Sequence, residues 1–172
     1  SKWLLVEGQS EYHLLHGMAK AIDYDFDEHG VAVIDFQNNG NPECFAALGR
    51  ALGYSWTMLV DGDQAGTQFL ASVGSRHFDP AFMAARTRQL PAGTLEQQLI
   101  AAGLQPALRA ILIAQGLPSA ATMSDADLVD SLKEDKCGYA VVLGAQCAAD
   151  PALTQRMPRQ LLDVITVLRA LP

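Results

Sequence analysis

Four carboxylates define the chemistry open to this chain. Glu7 and Glu11 close the stretch Leu4-Leu5-Val6-Glu7-Gly8-Gln9-Ser10-Glu11, and Asp61 and Asp63 follow Trp56-Thr57-Met58-Leu59-Val60. In both places an apolar run stops at an acid and a glycine follows. Acids gathered at strand ends are costly unless a cation joins them. Oxygen donors suit hard divalent ions, and Mg²⁺ keeps several of its waters, so a few carboxylates are enough. With two ions roughly 3.5–4 Å apart, one can activate water while the other stabilises the leaving oxygen of a phosphodiester. Two acidic pairs and one later acid are the right supply for two ions.

Short apolar strands must position these acids. The run ending at Val6 reads as a buried strand of an α/β sheet, Val31–Ile34 as a second ending at Asp35, and Trp56–Val60 as a third. Between them, Leu14, Leu15, Met18, Ala19 and Ile22 recur at helical spacing over Glu11–Ile22, with Ser10 as the expected N-cap. Pro42 opens a helix to about Leu52 with Phe45, Leu48 and Leu52 on one face, and Gln64–Val73 reads as another. Strands alternating with helices predict βαβ units and a mainly parallel sheet, whose ligands bind outside the carboxyl ends of the strands.

Further on, Gly74–Pro80 reads as a loop, Phe82–Leu90 as the place of a short fourth strand, and Pro91-Ala92-Gly93 as a turn into a helix from Thr94 to Ala102. Pro106–Gln115, Ser124–Leu132, Lys136–Ala148 and Pro158–Leu171 then read as helices, broken at Gly116-Leu117-Pro118 and at Asp150-Pro151. The expected organisation is an α/β catalytic domain over residues 1–104 and a helical subdomain over 105–172.

The net charge of −7, from 12 Lys and Arg against 19 Asp and Glu, argues against a broadly cationic nucleic-acid surface. Bound cations would offset that charge where a phosphate sits. No apolar run reaches the ~20 residues a membrane span needs, and the start lacks the order of a signal peptide, so a cytoplasmic setting is expected. Cys44, Cys137 and Cys147 show no metal-binding spacing and are expected to be buried thiols. The chain begins a few residues before its first strand, from which a domain upstream is expected.

Val6-Glu7-Gly8-Gln9-Ser10-Glu11, followed by a strand ending in Asp61-Gly62-Asp63, resembles the Toprim domain of topoisomerases, bacterial primases and certain nucleases. Glu11, the Tyr12-His13-Leu14-Leu15 after it and the later Thr94-Leu95-Glu96 make the chain most similar to the overcoming-lysogenisation-defect (OLD) nucleases. The motifs cover residues 2–102. The resemblance implies a Toprim-like parallel sheet flanked by helices, a C-terminal helical subdomain and an ABC-type ATPase upstream. It implies cleavage of DNA with two Mg²⁺ or Mn²⁺ ions and leaves room for an oligomer. By position, Glu7, Glu11, Asp61, Asp63 and Glu96 are then metal ligands, Glu7 and Asp61 being central to catalysis. Thr94 supplies a hydroxyl to the ligands, and a lysine of the tail, Lys136 in preference to Lys133, assists the transition state.

Each residue also has a plainer reading. Asp-Gly-Asp alone is a common turn, and Glu11 and Glu96 suit the first turn of a helix. Asp35 has no paired acid and takes a cap or loop role. His13 and His16 read as surface or packing residues. Arg76, His77, Arg86 and Arg88, which fall between the acidic motifs in sequence, could contact DNA phosphates. The Asp61-Gly62-Asp63 pair also resembles that of haloacid-dehalogenase-type phosphatases, although Ala65 stands where Thr or Val is expected. Another Toprim phosphotransfer enzyme, a topoisomerase or primase, and a metal-binding or DNA-tethering module without catalysis are the remaining alternatives.

Overall fold

The structure, a computed structural model, describes residues 1–135 and 137–172. Alternate side chains of a strand face opposite sides of a sheet. In β1 (Lys2–Val6) and β3 (Ser55–Val60) both sides are apolar, so both faces must be covered. These two strands occupy the middle of a four-stranded parallel sheet in the order β2-β1-β3-β4, with β2 (Val31–Asp35) and β4 (Thr87–Gln89) at the edges.

One face carries Leu5, Trp56, Met58 and Val60. It is covered by α3 (Pro42–Leu52), α4 (Gln64–Gly74) and α5 (Pro80–Arg86). The other face carries Leu4, Val6 and Leu59 in one core with α1 (Gln9–Ala21), which precedes the four-residue α2 (Phe36–Asn39), and with α6 (Leu95–Ala101). The same core takes in α7 (Gln105–Ala114), α8 (Asp125–Glu134), α9 (Gly138–Ala149) and α11 (Arg159–Ala170). The short helix α10 (Pro151–Thr154) and a 3₁₀ turn at Pro118–Thr122 fill the two predicted breaks. The helices of residues 105–172 thus bury their apolar faces against α1 and the sheet.

A glycine pair permits that docking. A Cβ on Gly17 would lie 1.9 Å from the carbonyl oxygen of Gly144, and one on Gly144 would lie 2.7 Å from that of His13. Helices α1 and α9 therefore cross backbone to backbone.

Several expectations need correction. Gly8, not Ser10, is the N-cap of α1. The loop expected from Gln37 begins as α2. An unexpected helix, α5, precedes the short fourth strand, which lies within Phe82–Leu90 as Thr87–Gln89; Asp79 accepts hydrogen bonds from the Ala81 and Phe82 N–H groups and Pro80 opens the helix's first turn. Helix α3 buries Pro42, Ala46 and Gly49 beneath Trp3 and Trp56, leaving Leu48 and Leu52 about half exposed at 47% and 53%. Cys44 is on that outer side and is exposed; Cys147 is buried, and Cys137 is intermediate.

Gly17→Ala should lower stability by about 1–3 kcal/mol, the cost of overpacking a closed interface. Gly74→Ala, in open space at the end of α4, should leave stability unchanged or raise it by up to about 1 kcal/mol. Urea titration of the two variants checks this, and equal effects would contradict the docking role.

Candidate metal centre

Because β1 and β3 are paired neighbours, the residues that follow them leave the sheet side by side. The Asp61 N–H donates to Glu7 Oε1 at 2.6 Å. Gln37, in the first turn of α2, donates through Nε2 to Glu7 Oε2 at 3.1 Å and through its N–H to the Glu7 carbonyl at 3.1 Å. The pairing of Val6 with Asp35 sets this contact, since it brings the end of β2 beside Glu7. Glu11 turns back over the start of α1, where its Oε2 accepts from the Gly8 N–H at 3.1 Å. Ser10, relieved of capping, is hydrogen-bonded to the Tyr139 phenol.

A two-glycine bridge delivers the fifth acid. The Gly62 N–H donates to Gly93 at 2.8 Å, and the Gly93 N–H returns the bond at 3.1 Å. A Cβ on Gly62 would meet the Leu90 carbonyl at 2.4 Å, so only glycine allows this approach. The turn carrying Asp61 and Asp63 is thereby stitched to the residues that open α6. There Thr94 Oγ1 donates to Glu96 Oε2 at 2.9 Å, and Tyr139, a fully buried residue of α9, donates to Oε1 at 2.8 Å. Asp63 Oδ1 accepts from the Gly66 N–H at 2.9 Å and caps α4.

Glu7, Glu11, Asp61, Thr94 and Glu96 line one cleft of about 210 Å³, together with Gln37 and Lys133. Asp63 borders the same charge cluster without lining the cleft, and it helps hold Glu7 above its ordinary pKa. Among the described residues, no group of three or more His, Cys, Asp or Glu side chains is already arranged around an ion position. The reason is visible in the bonds above: Glu7, Glu11, Asp63 and Glu96 each lean on a protein donor for which a cation would compete. Asp61 Oδ1 is the exception. It is buried and has no hydrogen-bond partner among the described residues. An orphaned carboxylate oxygen amid four other acids is a donor set that fits a hard cation.

The electrostatics follow from that crowding. Burial, then the charges of Glu11, Glu7, Glu96 and Asp63, push Asp61 up from 3.8 to about 8. Burial, then Glu96 and Glu7, raise Glu11 from 4.5 to about 7, against the opposing pull of backbone N–H groups. Glu7 is raised chiefly by burial, with the Asp61 N–H and the Gln37 amide working the other way.

Two residues of the site escape the sequence, Gln37 and Tyr139; Lys133, ranked behind Lys136 there, lines the cleft. Lys136 lies outside the described residues. Of the basic group, His77 and Arg86 open onto a different cleft beside Ser55, at the amino end of β3, while Arg88 lies on β4 opposite Leu59 with its guanidinium donating to the Ala84 and Thr87 carbonyls. His16 donates through Nδ1 to the Tyr12 carbonyl at 2.7 Å and packs on Phe26, a structural role. Asp35 accepts from the Asn38 and Asn39 side chains and caps α2.

Comparison with known proteins agrees with this geometry. Residues 1–63 match the family model described as overcoming lysogenization defect protein-like, TOPRIM domain. The Escherichia coli (strain K12) protein YbjD, itself uncharacterized, is 38% identical over 73 residues, a stretch that is 42% of this chain and 13% of that protein. The C-terminal region of the Burkholderia pseudomallei OLD protein superposes with a TM-score of 0.73 at 18% identity, covering 98% of this chain and 96% of that one. The C-terminal region of the Xanthomonas campestris pv. campestris OLD protein gives 0.72 at 17% identity, covering 98% and 91%. The architecture is thus that of a TOPRIM sheet with the helical region found in OLD C-terminal structures. The OLD-like TOPRIM resemblance carried by the acidic motifs stands, over residues 1–63 by sequence and over nearly the whole chain by fold.

An acid whose pKa is raised by folding stabilises the protein fully below its unfolded value, and that contribution is lost as pH climbs through the folded one. The metal-free chain should therefore lose stability between pH 4.5 and about 8. Asp61→Asn should flatten the upper part of that slope and leave the protein more stable than wild type at pH 8. Urea midpoints across this range check it, and a stability that rises toward pH 8 in the wild type would contradict the buried-acid reading.

Proposed function

We propose that this chain is the catalytic region of a metal-dependent DNA endonuclease or nickase that hydrolyses phosphodiester bonds with two Mg²⁺ or Mn²⁺ ions. The observation that carries the reading is the meeting of Glu7, Glu11, Asp61 and Glu96 in one cleft, with a buried oxygen of Asp61 unpartnered among the described residues. Glu7 and Asp61 would hold the cations from adjacent strand ends, and Glu11, Asp63 and Glu96 would complete their ligands. When bound, the ions supply an activated water and positive charge for the leaving oxygen.

The chain's own groups do the rest. Gln37 keeps one oxygen of Glu7 turned toward α2, and Thr94 and Tyr139 fix the plane of Glu96. Lys133, exposed at the cleft, is the described lysine suited to meet a non-bridging phosphate oxygen, in place of the Lys136 expected from the sequence. General-base duty falls to no histidine, since His13 and His16 do not line the cleft. A phosphatase of the haloacid type would leave Glu7, Glu11 and Glu96 without work.

The solved relatives are C-terminal regions of OLD proteins, which supports a place for this chain at the end of a longer polypeptide, behind an ABC-type ATPase. No helix among the described residues is long and apolar enough to cross a membrane. A cytoplasmic enzyme acting on DNA fits both points.

In a plasmid-nicking assay with Mn²⁺ or Mg²⁺, Glu7→Ala and Asp61→Ala should each reduce cleavage by roughly a thousandfold, the loss expected when several kcal/mol of transition-state stabilisation go. Circular dichroism should show both variants folded. Lys133→Ala should slow cleavage by roughly ten- to a hundredfold without weakening Mn²⁺ binding. Metal-dependent cleavage retained by a folded Asp61→Ala protein would sink the assignment.

A further inference from the structure

At the amino end of β3, roughly 17 Å along the strand from Asp61, a second cleft of about 440 Å³ is lined by Arg50, Tyr54, Trp56, Phe78, Phe82 and Arg86. Its wall is a continuous stack. The Phe78 and Phe82 rings lie 5.5 Å apart and nearly parallel at 12°, with Trp56 edge-on to both at 5.3 and 5.5 Å. The Arg50 guanidinium covers Phe78 at 4.6 Å, and that of Arg86 covers Phe82 at 5.1 Å.

Rings, not acids, hold these two cations in place. Neither forms an ion pair among the described residues. Arg50 donates to the Arg76 carbonyl at 3.0 Å, and Arg86 reaches the Trp56 carbonyl only at 3.5 Å. Each guanidinium has five N–H donors in a fixed fork, so most remain for a ligand. The acid on the rim, Asp79, caps α5 through Oδ1, which accepts from the Ala81 and Phe82 N–H groups, and pairs with neither arginine among the described residues. Arg50 and Arg86 each stand in the last turn of a helix, α3 and α5, where a cation is favoured, and Arg86 is in addition partly desolvated, at a cost that lowers its pKa. His77, also on the rim, is held at φ 60, a conformation that non-glycine residues adopt at some cost.

Paired forks with free donors recognise phosphate oxygens, and aromatic walls recognise a flat ring. The volume suits a small ligand that carries both. We propose that this cleft binds a nucleoside phosphate, its base against the aromatic wall and its phosphate on Arg50 and Arg86. The nucleotide is either free or the unpaired terminal nucleotide of a strand. The site shares no residue with the carboxylate cleft, and it does not rest on the nuclease reading.

Titration calorimetry of the chain in EDTA, where no cleavage occurs, tests this with four probes: deoxyadenosine monophosphate, deoxyadenosine, inorganic phosphate and a short single-stranded oligodeoxyadenylate. Trp56 emission is followed in parallel. The monophosphate should bind saturably, with deoxyadenosine and phosphate each weaker by about tenfold or more, and Arg50→Ala and Arg86→Ala should each weaken it by about tenfold or more. Arg86→Lys, which keeps the charge and loses the fork, should also weaken binding while circular dichroism is unchanged. Tighter binding of the oligonucleotide than of the monophosphate assigns the site to a strand end; equal or weaker binding assigns it to the free nucleotide. The proposal is overturned if neither probe saturates, or if affinity survives the arginine substitutions in folded protein.

Discussion

Repulsion among buried carboxylates is the constraint on which the rest of this structure depends. Five acids converge on the carboxyl end of the sheet, and burial together with their mutual charges lifts Asp61 to about 8 and Glu11 to about 7. A fold does not gather such groups for its own stability, since each must be desolvated near like charges. Local hydrogen bonds keep them in place: a backbone N–H and the Gln37 amide for Glu7, the N–H groups of Gly8 and of Glu11 itself for Glu11, one backbone N–H for Asp63, and two hydroxyls for Glu96. Asp61 Oδ1 receives no hydrogen bond from the described residues.

The scaffold follows from that demand. Parallel pairing of β1 with β3 sets Glu7 beside Asp61, and the Gly62–Gly93 bridge fastens α6 to the same end. The helical tail is joined to this arrangement through the Gly17–Gly144 crossing, which lets α9 lie close enough for Tyr139 to reach Glu96. A substitution in the tail can therefore reach the acids without touching them, through the orientation of one phenol. The opposite end of β3 answers a different need, with cations held on aromatic rings and no acid paired to them.

The acids themselves were readable because their signal is local: an apolar strand, a carboxylate and a glycine, twice. Glu96 came from the resemblance, and Thr94 with it. What escaped depends on which elements pair. Gln37 reaches Glu7 because β2 lies next to β1, and Tyr139 meets Glu96 across 43 residues because of a helix crossing; no spacing rule encodes either. Lys133, ranked second in the sequence, lines the cleft through the docking of α8. In α3 the larger side chains Leu48 and Leu52 misled, because the face that packs carries Ala46 and Gly49 to make room for Trp3 and Trp56. The helix α5 was legible in Asp79-Pro80 as a start signal, but it was outweighed by the expectation of a strand.

The central claim is that these carboxylates form one cation site. Anomalous diffraction from crystals soaked in Mn²⁺ tests it most directly. The account predicts Mn²⁺ peaks within coordinating distance of Asp61 and Glu7, with the Glu7 bond to the Asp61 N–H lengthened or broken. Crystals that take up Mn²⁺ elsewhere and leave Asp61 Oδ1 without a ligand would contradict it.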